Sequence, residues 1–229
     1  MTTALITGAS RGIGHAVASA LLGEGVRVIA AVRSPEKFDL PGAEAEALDV
    51  GSPASISALA GRLHARGEQL DVLVNNAGVY RAKDREIWDV NLRGPLLLTE
   101  ALASLLQPAA RVVMVSSGLG ATSGQDPRLV QRLETATLES LRALAAEAPG
   151  GYGASKAALN ALARVFAAQL GPRGVLVNSV DPGWVRTEMG GKGAPRSIDQ
   201  GAASVLWACR LKPGGQTGGF FRDGRALPF

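Results

Sequence analysis

Short runs of β-branched and apolar residues recur along the chain at positions 4–7, 26–32, 71–75, 111–116 and 174–180, separated by Ala- and Leu-rich stretches with helical spacing. That alternation predicts parallel strands joined by crossover helices. The runs lack strict polar alternation, as strands covered by helices on both faces should. A weaker run at 44–48 and a closing one at 218–221 bring the expected sheet to about seven strands. The fold class expected is therefore α/β, a doubly wound parallel sheet with helices on both faces. No internal repeat or long linker interrupts the pattern, and the Gly/Pro-rich pieces at 190–195 and 213–219 are loop-sized. Residues 1–229 thus read as one domain. Ligands on such sheets bind outside the carboxyl ends of the strands, where strand order reverses.

Composition narrows the partners. The 229 residues are 46% apolar, enough for one substantial core. A formal net charge of +4 comes from 24 basic and 20 acidic residues scattered singly, and aromatics are only 4%. A phosphate-tracking stripe with stacking rings is therefore not expected, and no nucleic-acid partner with it. Cys209 is the single cysteine, so no intramolecular disulfide forms, and its apolar neighbours make a buried inert thiol the expected state. Met1-Thr2-Thr3 leads straight into Ala4-Leu5-Ile6 without a charged leader, so no signal peptide is expected. No apolar stretch approaches the roughly 20 residues of a membrane span. The expectation is a cytoplasmic protein with no membrane partner and no metal site.

The first candidate site is Thr7-Gly8-Ala9-Ser10-Arg11-Gly12-Ile13-Gly14, between the first strand and an Ala-rich helix. Glycines there let a pyrophosphate approach the backbone, and helix-start N–H groups hold it, as in Rossmann-type folds. The spacing departs from the Gly-x-Gly-x-x-Gly fingerprint. The second strand ends at Ala31-Val32-Arg33, with no acidic residue where one would bond the ribose hydroxyls of NAD. Arg33 instead offers a planar cation for a 2′-phosphate, and Arg11 is expected to reach the same group, which favours NADP. The alternative is that both arginines are solvated surface charges.

The second candidate site pairs Tyr152 with Lys156, four residues apart at the start of a helix and so on one face. Bringing a phenol from pKa 10 to about 7 takes roughly 4 kcal/mol. A lysine ammonium at about 5 Å, in an effective dielectric of about 20, supplies roughly 3 kcal/mol. During carbonyl reduction the tyrosine need only be acidic enough to protonate a developing alkoxide. Tyr-x-x-x-Lys alone also fits an ordinary amphipathic helix. Its company gives it weight: Ser116-Ser117 closes a Val-Val-Met-Val strand, where a hydroxyl points into the ligand crevice.

With the glycine turn, Asn75-Asn76-Ala77-Gly78, Ser117, Tyr152, Lys156 and Asp181-Pro182-Gly183 in this order, the chain resembles the short-chain dehydrogenase/reductase family over nearly its whole length. The resemblance implies Tyr152 as general acid or base, and Lys156 orienting the cofactor ribose and lowering the tyrosine pKa. It also implies Ser117, rather than Ser116, holding the carbonyl oxygen, and Asn91 anchoring through its backbone carbonyl a water that relays protons to the lysine. It further implies that Asp49 and Val50 flank the adenine, that Asn75, Ala77 and Gly78 support the cofactor, and that Pro182, Gly183, Val185 and Thr187 embrace the nicotinamide end. The residues add one physical reason. Pro95 has no N–H, so in a helix the Asn91 carbonyl would lack its i+4 donor; alternatively, Pro95 marks the first turn of a new helix.

Two departures stand out. Thirty-five positions separate Ser117 from Tyr152, well beyond the spacing the resemblance implies. The extra segment, about 126–148, starts with Asp126-Pro127 and carries Leu129, Val130, Leu133, Leu138, Leu141 and Leu144 at near-helical spacing. A similar insertion characterises carbonyl reductases of the family, whose Pro-Gly-Trp-Val-Arg-Thr segment this chain's 182–187 also resembles. It is expected to cover the adjacent helices and permit a monomer; the alternative is a surface elaboration on a homo-oligomer. Gly78 and Asn91 lie only 13 positions apart, shorter than the resemblance implies, which opens the substrate mouth or impairs the site. The function expected is NADPH-dependent reduction of a ketone, aldehyde or quinone. The alternatives are an NAD-linked alcohol or polyol dehydrogenase and a dinucleotide-binding regulator with weak turnover.

Overall fold

The inner strands of the central sheet are buried on both faces, which accounts for the unbroken apolar runs. The computed structural model describes residues 2–229; Met1, where the leader reading starts, lies outside them. The strands are β1 (Thr3–Thr7), β2 (Arg27–Val32), β3 (Glu44–Ala47), β4 (Leu70–Asn75), β5 (Leu106–Val115), β6 (Leu176–Val180), β7 (Phe220–Arg222) and β8 (Arg225–Ala226). Their order is β3-β2-β1-β4-β5-β6-β7-β8, parallel throughout except for the antiparallel β7–β8 pair. Strand order reverses between β1 and β4, which opens the ligand crevice there.

The helices are α1 (Gly12–Gly23), α2 (Pro53–Ala65), α3 (Asp84–Trp88), α4 (Gly94–Leu102), α5 (Pro127–Glu134), α6 (Leu138–Glu147), α7 (Tyr152–Leu170) and α8 (Ile198–Cys209). Helices α1 and α8 cover one face of the sheet and α2, α4 and α7 the other, each over its own apolar cluster. Cys209 is buried, and burial pushes its thiol up to about 12, so it stays protonated.

Two details correct the expectations and a third refines them. The sheet has eight strands, because Asp223-Gly224 forms a tight turn with both residues at positive φ and folds β8 back onto β7. Strand β5 begins at Leu106, before the expected 111, with a register shift against β4 beside Pro108 and the positive-φ Ala109. The helical segment expected at about 126–148 consists of two helices, α5 and α6. Asp126 caps α5 by accepting from the Arg128 and Leu129 N–H groups, and Thr137 and Ser140 form a reciprocal capping box on α6. Leu129, Leu133, Leu141 and Leu144 bury into the cluster shared with α4 and α7, so the insertion does cover the adjacent helices. Among the described residues, no helix is long and apolar enough to cross a membrane.

Candidate active site

The glycine turn lies where β1 hands over to α1, and a second strand end staples it there. Thr7 Oγ1 accepts from the N–H groups of Asn76 and Ala77 at 3.0 and 2.9 Å. Asn76 Nδ2 donates to the carbonyls of Thr7 and Gly8 at 2.9 and 3.2 Å. Gly8 has a φ of +66°, and a Cβ on Gly14 would stand 2.4 Å from Asn76 Nδ2 and 2.5 Å from the Gly8 carbonyl. Only glycine fits either place. The Arg11 side chain does not cap α1, and no residue of the first turn is acidic. The first N–H groups of α1 therefore face the crevice ready for an anion.

That crevice is a cavity of about 1040 Å³. Of the expected cofactor residues, Gly8, Ser10, Arg11, Gly12, Ile13, Arg33, Asp49, Val50, Ala77, Gly78, Tyr152, Lys156, Pro182 and Thr187 line it. Gly14, Asn75, Gly183 and Val185 stand behind its walls. Asn75 is buried and donates to Thr99 Oγ1 and Met114 Sδ. Gly183, at φ +77°, donates its N–H to Asp181 Oδ1 at 2.7 Å, and Val185 packs against Gly201. At the end of β2, Arg33 is joined by Ser34 and by Lys37 from the 3₁₀ turn Pro35–Lys37. Neither was expected, although a basic residue four positions after Arg33 was the available signal. Arg11 departs from expectation: its guanidinium pairs with Glu188 at 2.5 Å, across the cleft mouth, rather than joining Arg33.

Helix α7 begins at Tyr152 and brings the residues expected to handle the proton together. Lys156 is buried and its Nζ donates to the Val115 carbonyl at 2.8 Å, 5.6 Å from the centre of the Tyr152 ring. Ser116 turns inward and donates to the Lys156 carbonyl at 3.4 Å. Ser117 caps the 3₁₀ turn Gly118–Gly120 by accepting from Leu119 N–H, and its side chain favours the ionised Tyr152 phenol, although it is Ser116 that lines the crevice. The turn sits against α7 because Gly120 has no side chain; a Cβ there would meet Lys156 at 2.8 Å.

The electrostatics correct the expected tyrosine pKa. Burial pushes the Tyr152 phenol up to about 12, the Ser117 side chain opposes this, and Asp181 and Tyr80 add to the rise. Burial also pushes the Lys156 ammonium down to about 8. In this structure Lys156 is not what sets the phenol; removal from water is.

Asn91 is fully buried in a π-helical turn, Asp89–Arg93, within a continuous helical run from α3 into α4. Pro95 follows in the first turn of α4. Its ring would crowd the carbonyl four residues back and offers it no N–H, and a π turn is the relief such a site finds. The reading of Pro95 as the first turn of a new helix is the one observed. The Asn91 side chain is fully committed: Oδ1 accepts from Val79 N–H, and Nδ2 donates to the Val79 carbonyl and to Ser155 Oγ. It fixes the short loop after Gly78, whose Cβ position lies 3.2 Å from Asn91 Oδ1 and 3.6 Å from Lys156 Nζ.

The shortened loop carries Tyr80, which packs edge-on against Tyr152 with ring centres 4.9 Å apart. Beyond it lies a second cavity of about 780 Å³, lined by Tyr80, Leu119, Gln125, Gly150, Tyr152 and, from α5, Arg128 and Arg132. None of these walls except Tyr152 was foreseen. The exposed large hydrophobic residues among those described are Tyr80, Leu119, Trp184 and Met189, all on loops leaving β4, β5 and β6 at this end of the sheet.

Comparison with known proteins agrees with this arrangement. Residues 2–126 match the family model described as short chain dehydrogenase, and residues 133–210 match that described as Enoyl-(Acyl carrier protein) reductase. The chain is 32% identical to carbonyl reductase (NADPH) 1 of Mus musculus, across 99% of this chain and 98% of the relative. It is 30% identical to the 3-oxoacyl-(acyl-carrier-protein) reductase FabG of Escherichia coli, across 99% and 88%. Among solved structures, NADPH-bound carbonyl reductase from chicken fatty liver superposes with a TM-score of 0.79 at 27% identity, covering 100% of this chain and 94% of that one. A short-chain dehydrogenase/reductase from Burkholderia multivorans with bound NADP gives 0.79 at 28% identity, covering 100% and 99%.

Proposed function

The chain belongs to the short-chain dehydrogenase/reductase family, most like its carbonyl reductases, and on that premise we propose that it reduces a carbonyl compound to an alcohol with NADPH, Tyr152 giving the proton. One observation carries this reading: among the described residues, Tyr152 alone lines both the 1040 Å³ crevice and the 780 Å³ cavity. A group that must touch cofactor and substrate together belongs at that junction.

The crevice suits the dinucleotide. Uncapped α1 N–H groups and a glycine turn that tolerates no Cβ receive the pyrophosphate, and Arg33 with Lys37, neither in an ion pair among the described residues, receives a 2′-phosphate. Bound there, the nicotinamide supplies the hydride; position and field are the protein's part. Ser117 holds the substrate oxygen against the phenol. A phenol pushed up to about 12 stays protonated at neutral pH and still yields its proton to an alkoxide, a far stronger base. Lys156 then balances the phenolate charge, and the Asn91 carbonyl, which Pro95 cannot serve, holds the water that returns a proton.

The assay is NADPH oxidation with ketones, aldehydes and quinones. Turnover that Tyr152→Phe abolishes is expected, and saturable NADPH binding without turnover of any member overturns the reading. The α5–α6 insertion on α4 and α7 further supports a single-domain monomer, which sedimentation at micromolar concentration tests; a stable tetramer would refute it.

A further inference from the structure

The 780 Å³ cavity has two chemically different ends. Around Tyr152 its walls are Tyr80 and Leu119, each with much of its apolar surface in the open. At the far end α5 presents Arg128 and Arg132, four residues apart and so on one face, while Leu129 and Leu133 anchor that helix in the core. Asp126 also lines this end; its Oδ1 accepts from the N–H groups of Arg128 and Leu129, which holds the carboxylate at the head of α5. Arg132 is held by Glu147 of α6 through two bonds of 2.7 and 2.8 Å. Arg128 makes no ion pair among the described residues, so a guanidinium with its donors free borders the cavity that leads to Tyr152.

We propose that the substrate is a carbonyl compound bearing a carboxylate, with its carbonyl at Tyr152, its apolar body along Tyr80 and Leu119, and its carboxylate on Arg128 beside Arg132. The proposal rests on the reductase reading and adds to it the substrate's charge. A guanidinium takes a carboxylate in two parallel bonds, and Glu147 keeps Arg132 in place next to it.

The test compares oxo carboxylic acids of increasing chain length with their methyl esters, using a neutral quinone as control. At the best length the acid should exceed its ester about tenfold in kcat/KM, the difference lying in KM. Arg128→Gln should bring that ratio to about one, the acid losing about tenfold in kcat/KM and the ester and quinone far less. Arg128→Glu should favour the ester, and Glu147→Gln, which frees Arg132, should raise the preference for the acid. Equal rates for acid and ester at every length overturn the proposal while quinone reduction keeps the reductase reading, and so does an Arg128→Gln loss shared by ester and quinone. Failure of the quinone as well, with NADPH bound, overturns both.

Discussion

The two cavities that meet at Tyr152 are built in opposite ways. The cofactor crevice is walled by strand ends: the turn after β1, Arg33 after β2, Ala77 and Gly78 after β4, Pro182 after β6. Parallel pairing fixes each in space, with Thr7, for example, opposite Ala31 in the β1–β2 register. The substrate cavity has walls taken from α5, the turns after β5, the shortened loop with Tyr80 and the Pro149–Gly151 approach to α7. These depend on how an inserted helix pair settles on α7. One side is specified by sheet register, the other by packing, so substitutions should separate by side in what they damage.

Tyr152→Phe should have the largest effect, because it touches both sides. It removes only the acidic proton and should lower kcat about a thousandfold while NADPH affinity stays within about twofold. Stopped-flow reduction and NADPH fluorescence titration measure the two separately. A comparable loss in both would mean that the phenol holds the cofactor rather than the proton. Next comes Gly14→Ala, confined to the cofactor side. Its Cβ would strike Asn76 Nδ2 and the Gly8 carbonyl, and the backbone carbonyl cannot swing away. A loss of about 3 kcal/mol in urea unfolding is expected, with NADPH binding lost before the α5–α6 region is disturbed. Unchanged binding would show that the Asn76 staple gives way freely.

The same division decides what could be read from the chain. Most strand positions were legible as short apolar runs between helical stretches, the glycine turn by its place after the first of them, and the Tyr152–Lys156 face because a period of 3.6 puts positions four apart on one side. The eighth strand was missed, although Asp223-Gly224 carries the signature of a tight hairpin turn. The stacking of Tyr80 on Tyr152 was not legible, since it follows from where Asn91 pins the Val79 backbone. Nor was the burial that lifts the Tyr152 phenol and lowers Lys156, because desolvation depends on every neighbour at once. The Coulomb estimate for one lysine captured the attraction and missed the larger cost of removing both groups from water.

On the cofactor side, Arg33→Asp should cut the ratio of kcat/KM with NADPH to that with NADH about a hundredfold, by removing one cation and placing an anion beside the 2′-phosphate. Reduction of the neutral quinone with each cofactor gives the ratio. An unchanged ratio would pass the role to Lys37, which lines the same pocket.

The smallest expected effect concerns the two buried groups at the junction, which titrate with opposite sign. The Lys156 ammonium, at about 8 in the fold against 10.5 ordinarily, gives up its proton in the native state first. Between these values the unfolded chain binds more protons, so this group makes stability rise with pH. Tyr152 and Cys209, both pushed up to about 12, do the reverse, but only above their ordinary values of 10 and 9. The interval from pH 8 to 9 therefore isolates the lysine. There the wild-type chain should gain about 1 kcal/mol over Lys156→Met in urea unfolding at fixed pH. Parallel curves would mean that the bond from Lys156 Nζ to the Val115 carbonyl offsets the burial of the charge. The lysine would then remain fully charged beside the phenol across the whole working range, and the cofactor side would impose no electrostatic penalty of its own.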